Sequence, residues 1–416
     1  MPTDCFPTNL ARHDWLTEGP LNVVISAYVD ALRGERYSER TIHVYLGSLA
    51  HFSYWLKTET LELSCLDPSV VKHFLLKHLP NCTCPQPCYS TKPSAGAALR
   101  HLLRIVPLER PLSVVPSPVD VELKRFGDYL ANTRGLATVT RDRRVQDVGA
   151  FLARVFGSET PILSQISAPT LDAYFVDLSV RFKPVTLRIV GNGLRSYFRY
   201  RGSLGDSTAG LIEALPRVAE WGRTRLPKVL SEAELEAFLS AFDCTDPVGL
   251  RDYAIARCLV DLGLRGHEVT NLTLESVRWR DAILTINSTK GKRVQQMPLP
   301  ESTGKAIAQY LRGARPQTTN RALFVRHRAP FDKPLGVPAI RNAMNRAFGR
   351  CGLSERFCNT HVLRRTTATR LQRSGASIKE IADVLRHQSL DTASTYARVD
   401  LEGLRAVALP WPGSPR

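Results

Sequence analysis

The chain lacks what would carry it into or across a membrane. No run of about 18 consecutive apolar residues, roughly the minimum for a spanning helix, occurs in its 416 positions. Its first residues, MPTDCFPTNLARHDW, have no charged-then-apolar leader, and we expect a soluble, cytoplasmic protein. A disulfide framework is missing as well. The nine cysteines are odd in number and mostly isolated in apolar runs, as Cys258 is in IARCLVDLGL, which is the pattern of reduced core thiols. Acid is short: 56 Lys and Arg stand against 39 Asp and Glu, a formal charge of +17 and a pI near 9.7. That excess attracts polyanions, so nucleic acid or an anionic membrane surface are the partners it favours, set against the plainer reading of a basic soluble protein. Apolar content is ordinary at 43%, and the length divides into two to three domains of usual size.

Two proline-punctuated stretches mark seams, VPLERPLSVVPSPVD (106–120) and EWGRTRLPKVLSEAEL (220–235), because proline has no amide donor and resists helix interiors. They divide the chain into blocks at 1–112, 116–222 and 228–400, with a tail at 401–416. The first two blocks read as copies of one helical module. YVDALRGERYSERTIHVYLGSLAHFSYWL parallels FGDYLANTRGLATVTRDRRVQDVGAFLARVF, with Asp30 and Leu32 matching Asp128 and Leu130, and ALRHLL parallels GLRSYF. Shared amphipathic periodicity is the competing explanation. The second block carries Arg141, Arg143 and Arg144 in TVTRDRRVQDVGAFL, then Lys183, Arg188, Arg195 and Arg199 in RFKPVTLRIVGNGLRSYFRYRG. Such faces suit contacts to DNA phosphates, although a solvated basic helix face has the same composition.

The third block is mainly α with a small antiparallel sheet. Ser231 to Glu234 and Ser377 to Glu380 are S-x-x-E capping boxes, each opening a helix. AILTIN and VQQMPL alternate as strands around STKGKR, a hairpin with Gly291 at its bend. Within this block polar residues stand where a core-seeking sequence would not put them. Arg265 follows an apolar helix, Lys290 sits at the hairpin tip with Lys292 and Arg293 beside it, and His361 and Arg364 share a helical face. His387 follows another helix and Tyr396 lies on a further short one. Paired guanidiniums grip a phosphate by parallel hydrogen bonds, which points to a phosphodiester.

The ordered set GLRGHEV, STKGKRVQQMPL, HVLRR and VLRHQSLDTASTY closely resembles the catalytic domain of the tyrosine recombinase (phage integrase) family across about 228–400, and the second block resembles that family's core-binding helical domain. The resemblance implies a multidomain, mainly α fold with a mixed α/β catalytic domain. It also implies a site-specific DNA recombinase that cuts and rejoins strands through a 3′-phosphotyrosyl link, for integration, excision or transposition of a mobile element. Arg265 and Arg364 would hold the scissile phosphate, His361 would take the proton of the nucleophile, and His387 would be a further donor. Lys290 would protonate the departing 5′-hydroxyl, Tyr396 would attack, and Glu268 would orient its neighbours. No metal or nucleotide is implied for catalysis. Arg365, Arg386 and His267 depart from residues usual at those places, Arg386 replacing a glycine, which puts local geometry in question. A topoisomerase-like nicking and resealing enzyme and a catalytically silent DNA-binding accessory protein are the alternatives. The partners implied are double-stranded DNA with specific sites, further copies of the chain (dimer to tetramer) and other recombinases or accessory proteins.

HLPNCTCPQPCYS places Cys82, Cys84 and Cys88 in a proline-rich loop after His78, a donor set that suits structural zinc, against ordinary reduced thiols. Residues 401–409 have helical spacing, and the resemblance to the family implies that they pack on a neighbouring protomer, with packing on their own domain as the alternative.

Overall fold

The computed structural model describes residues 13–85, 88, 91–105, 117–157, 159–218, 228–287 and 294–386. Gly291, Lys290, Lys292, Arg293, His387, Tyr396 and the tail lie outside these. Contacts divide the chain into two units, Arg110–Arg225 by itself and Met1–Glu109 together with Leu226–Arg416.

The first module holds α1 (Asp14–Thr17), α2 (Asn22–Gly34), α3 (Glu39–Thr58), α4 (Pro68–His73, extended by a π-helical turn over Phe74–His78) and α5 (Lys92–Ile105). Its starts are written locally. Ser38 accepts from the Thr41 amide ahead of α3, and Asp67 accepts from the amides of Ser69 and Val70 ahead of α4, where Pro68 needs no donor. The apolar faces meet around Tyr28, Leu46, Phe52, Phe74 and Leu99, all out of solvent. The Tyr28 hydroxyl donates to the Ala98 carbonyl, which removes the cost of burying it. Polar contacts join this module to the third block: Lys333 lies 3.6 Å from Glu35, and Arg36 stands over the Phe331 ring at 5.1 Å.

The second unit has α6 (Pro118–Asn132), α7 (Thr138–Phe156), α8 (Ala168–Arg181), α9 (Pro184–Ser203) and α10 (Ala209–Ala214) around Phe126, Phe151, Leu194 and Phe198. Glu122 is buried and accepts from the Tyr197 hydroxyl at 3.0 Å and from Arg201 at 3.1 Å, which fastens α9 to α6. Part of the element order is shared with the first module: two long helices, a short 3-10 turn (Leu63–Cys65 and Leu163–Gln165), a helix opened by proline near its start, then a further long helix; α1 of the first module and α10 of the second have no counterpart.

The third block packs α11 (Glu232–Ser240), α12 (Pro247–Asp261), α13 (Gly266–Thr270), α14 (Glu301–Gly313), α15 (Val337–Arg350), α16 (His361–Arg373) and α17 (Ile378–Val384) beside one sheet. Both expected capping boxes are present, Ser231 with Glu234 and Ser377 with Glu380. The sheet is antiparallel in the order β1 (Val277–Arg278), β2 (Ile283–Asn287), β3 (Val294–Pro298), with Leu284 opposite Met297. The sequence pattern expects only the β2–β3 pair, because a two-residue strand is too short to alternate. Helix α12 is the central element, buried through Ile255, Cys258 and Leu259. Thr367 of α16 donates to the Val260 carbonyl at 2.6 Å and Thr366 accepts from the Leu230 amide at 3.0 Å, so α16 is fixed lengthwise against α12.

Candidate active site

The site begins where α12 stops. Gly263 takes φ +56, a left-handed conformation open to glycine at little cost, and a Cβ there would come within 2.5 Å of Leu385. This turn presents the Gly263 carbonyl to the interior and delivers Arg265 as the N-cap of α13. The Arg265 amide donates to Glu268 Oε2 at 2.7 Å and its Nη1 to Oε1 at 2.8 Å, so one carboxylate holds both ends of the residue. Sequence spacing predicts this pairing, since positions three apart share a helical face.

Arg364 emerges from the first turn of α16 with 4% exposure and donates through Nη1 to the Gly263 carbonyl and through Nη2 to the Leu385 carbonyl. The apolar face of α16 carries Val362 and Leu363 into the same core as α12. The guanidinium is thus aimed by two backbone acceptors from separate elements. His361 opens α16, with its amide on Asn359 Oδ1 at 3.0 Å. Its ring reaches solvent at the pocket edge, yet partial desolvation, then the charges of Arg365, Arg364, Arg265 and His267, hold it below the ordinary imidazole range. It is therefore neutral at physiological pH and able to accept a proton.

Arg386 is the residue whose role the sequence does not disclose. It sits at φ +55, where a side chain is strained, and its guanidinium folds inward to Glu268 Oε2 at 2.9 Å and to the Gly263 carbonyl at 3.2 Å. Its own carbonyl accepts from Arg265 Nη2 at 3.3 Å. Glu268 is 2% exposed, and burial alone would raise its carboxyl. Arg386, the Arg265 amide and the Arg265 guanidinium outweigh that and hold it below the usual carboxylate range. Burial pulls Arg386 down, but a guanidinium starts so far above neutrality that the pair is ionic. Among the described residues, the guanidiniums of Arg265 and Arg386 share the Glu268 carboxylate, while that of Arg364 is held by backbone carbonyls. The clustered guanidiniums give this region a positive character, and the Glu268 carboxylate is engaged by both neighbours.

Of the residues expected to carry chemistry, the structure brings together Arg265, His361, Arg364 and Glu268; Lys290, His387 and Tyr396 lie outside the described residues, His387 being next in sequence to Arg386. The residues missed are Arg386 and Gly263. A glycine closing an apolar helix just before an arginine was the available signal for the second.

In the second unit Arg141, Arg143 and Arg144 lie on α7, Lys183 caps α9, and Arg188, Arg195 and Arg199 lie along it. Several already serve the fold. Arg195 donates to the carbonyls of Leu215 and Pro216 at 3.2 and 3.0 Å, Arg144 to Ser196 at 3.0 Å, and Arg143 pairs with Asp147 at 2.9 Å. The half-buried Arg195 is accordingly a structural clamp first. Arg199 and Lys183 are exposed. In the first module His78, Cys82 and Cys84 come together with His51, whereas Cys88, expected as the fourth donor, is not in that group.

Residues 228–402 match the model of the phage integrase family. The chain is 31% identical over 404 residues to the putative integrase/recombinase y4rA of Sinorhizobium fredii, covering 95% of this chain and 96% of that protein. It is 24% identical over 292 residues to the tyrosine recombinase XerC of Lactobacillus delbrueckii subsp. bulgaricus, covering 68% of this chain and 95% of that one. Among solved structures, the XerH site-specific recombinase bound to palindromic difH substrate, a post-cleavage complex, matches with a TM-score of 0.58 at 16% identity. That match covers 72% of this chain and 99% of the other, and it is a likeness of fold.

Proposed function

The chain belongs to the phage integrase family of tyrosine recombinases, and from that membership and the pocket we propose that it is a site-specific DNA recombinase using Tyr396 as nucleophile. The observation that carries this reading is the convergence of Arg265, Arg364 and a neutral His361 on one basic pocket, with Arg265 held by the buried Glu268.

The tyrosine oxygen attacks the scissile phosphorus. A P–O bond forms to Tyr396, the P–O5′ bond breaks, the phenolic proton passes to His361, and Lys290 gives a proton to the leaving 5′-oxygen. Arg265 and Arg364 neutralise the charge gathered on the non-bridging oxygens, with His387 as a further donor. Removing one such donor typically costs about 10²–10³ in rate. The link keeps the energy of the phosphodiester, so a different 5′-hydroxyl reverses the step and strands are exchanged. The guanidiniums supply the charge that metal ions bring to other phosphoryl transfers, so we propose a metal-independent reaction. Double-stranded DNA with paired sites is the partner, with further copies of the chain on it. The exposed Arg199 and Lys183 of the second unit would contact its backbone, together with Arg141, Arg143, Arg144 and Arg188, and with Lys292 and Arg293 of the hairpin.

The test is covalent trapping: nicked duplexes from the ends of the element that carries the gene, denaturation, and a search for protein-linked DNA, with Tyr396→Phe alongside. A band lost in the variant supports the assignment. Duplex binding without a band, under conditions where sites are paired, favours a catalytically silent accessory protein. Resealing without exchange between sites favours a topoisomerase-like enzyme.

A further inference from the structure

The two helical modules differ in one connection. Between α8 and α9 only Phe182 and Lys183 intervene, but the equivalent segment of the first module runs from 79 to 91. The extra chain carries Cys82 and Cys84. Opposite them stand His51, in the middle of α3 at 1% exposure, and His78, which closes the π-helical turn after α4. Such a turn widens the helix by one residue and re-aims the side chain at its end, and these turns are frequent at functional sites.

The four donor atoms lie within 4.8 Å of one another. His51 Nε2 is 3.2 Å from His78 Nε2 and 3.3 Å from Cys82 Sγ, and His78 Nε2 is 3.5 Å from Cys84 Sγ. A tetrahedral zinc ion with ordinary bond lengths needs N···N separations of about 3.3 Å and N···S of about 3.6 Å, so these contacts already have the edge lengths of its coordination polyhedron. Hydrogen bonding does not account for the cluster equally well. An imidazole nitrogen has one in-plane position, filled by a proton or a lone pair, and here each of the two Nε2 atoms faces both the other imidazole and a thiol. A cation at the centre satisfies all four donors together. The Cys84 amide also donates towards Cys82 Sγ, at 3.5 Å, a hydrogen bond that stabilises a thiolate. Stacking of the His78 ring on Phe74, at 5.2 Å between centroids, fixes its orientation.

We propose that the first module binds one structural zinc ion through His51 Nε2, His78 Nε2, Cys82 Sγ and Cys84 Sγ. The ion ties the core of α3 to the end of α4 and the inserted loop that follows it, 27 residues on from His51 at His78 and 31 at Cys82, and so locks a connection that its counterpart in the second unit does not possess. All four positions of a tetrahedral ion are filled by protein, the arrangement of a structural rather than a catalytic site. Cys88 packs on the same core outside the donor set.

Metal content of the full-length chain, made in zinc-replete medium and purified without chelator, is the direct test. We expect about one zinc per chain, and a cobalt-substituted protein with the visible bands of a tetrahedral thiolate site. Cys82→Ser with Cys84→Ser should abolish both, while Cys88→Ser and Cys244→Ser keep them. A mercurial thiol reagent added to the unaltered protein should release the ion, a result that needs no variant to fold. A wild-type chain without zinc that also gives no cobalt spectrum overturns the proposal. So does zinc that survives the double replacement, and loss on Cys88→Ser alone overturns the donor set. None of these readouts depends on recombination.

Discussion

Replacing Glu268 by glutamine keeps the shape of the side chain and removes the one negative charge around which the pocket is organised. The carboxylate takes the Arg265 amide at 2.7 Å, Arg265 Nη1 at 2.8 Å and Arg386 Nη2 at 2.9 Å, all in a place that is 2% exposed. The amide retains one acceptor oxygen and turns an NH2 group towards a guanidinium, so the buried Arg386 and the partly exposed Arg265 lose their shared counter-charge. Breaking a buried pair costs about 3–5 kcal/mol, and the partial exposure of Arg265 argues for the lower end, about 3 kcal/mol. That is roughly a hundredfold in the local opening equilibrium. Hydrogen exchange of peptides spanning α13 and α16 reads this locally, without requiring the multidomain chain to unfold as one unit. The pH dependence provides an internal check. Glu268 is held below its ordinary value of 4.5, so its contribution is present above that value and is lost as pH falls through the depressed native one. Glu268→Gln lacks the contribution at every pH, and its deficit in protection must therefore shrink on acidification below the ordinary carboxylate range. Protection that changes less than about threefold at neutral pH, or a deficit undiminished in acid, would refute the argument that this carboxylate holds the two arginines.

Gly263→Ala puts a methyl group 2.5 Å from Leu385 at a φ of +56, and is expected to destabilise the catalytic domain by about 1–3 kcal/mol and to lower strand cleavage more than DNA affinity, as unfolding and single-turnover assays would measure. Arg365→Gln removes the positive charge with the largest effect on His361 after desolvation, so its lowered value rises. Because only the neutral ring accepts the proton, the acid limb of the cleavage rate against pH should move to higher pH, and an unmoved limb would take His361 out of the proton transfer. Duplex affinity should fall by about 10³ or more between 50 and 200 mM salt if six or more phosphates are contacted, and a nearly flat titration would contradict a DNA clamp.

Legibility from sequence followed the range of the interactions. The boxes Ser231 with Glu234 and Ser377 with Glu380, and the pairing of Arg265 with Glu268, each act within three residues and were readable directly. His361 and Arg364 on one face of α16 were equally readable. The partnership of Arg386 with Glu268 spans 118 residues, and nothing in either neighbourhood announces it. His51 was hidden for a different reason. It lies in a helix whose buried face includes Leu46, Leu49, Phe52 and Trp55, where a histidine reads as one more core residue, and it gains donors to face through the approach of His78 and the loop at 82–84. Closeness in sequence points to Cys88 as the fourth donor, whereas closeness in space groups His51 with His78, Cys82 and Cys84.

Arg386 shows how a departure from the usual residue can be absorbed. A glycine at this place would adopt φ +55 at little cost, whereas arginine is strained there. The compensation is an ion pair with a carboxylate that is itself buried, together with donors to the carbonyls of Val384 and Gly263. The Gly263 carbonyl accepts from Arg364 too, and the Arg386 carbonyl accepts from Arg265, so Arg265, Arg364 and the residue preceding His387 share one hydrogen-bonded framework. Chain strain at Arg386 and charge at Glu268 are therefore balanced against each other, and neither can be altered without disturbing the two arginines to which the proposed mechanism assigns the phosphate.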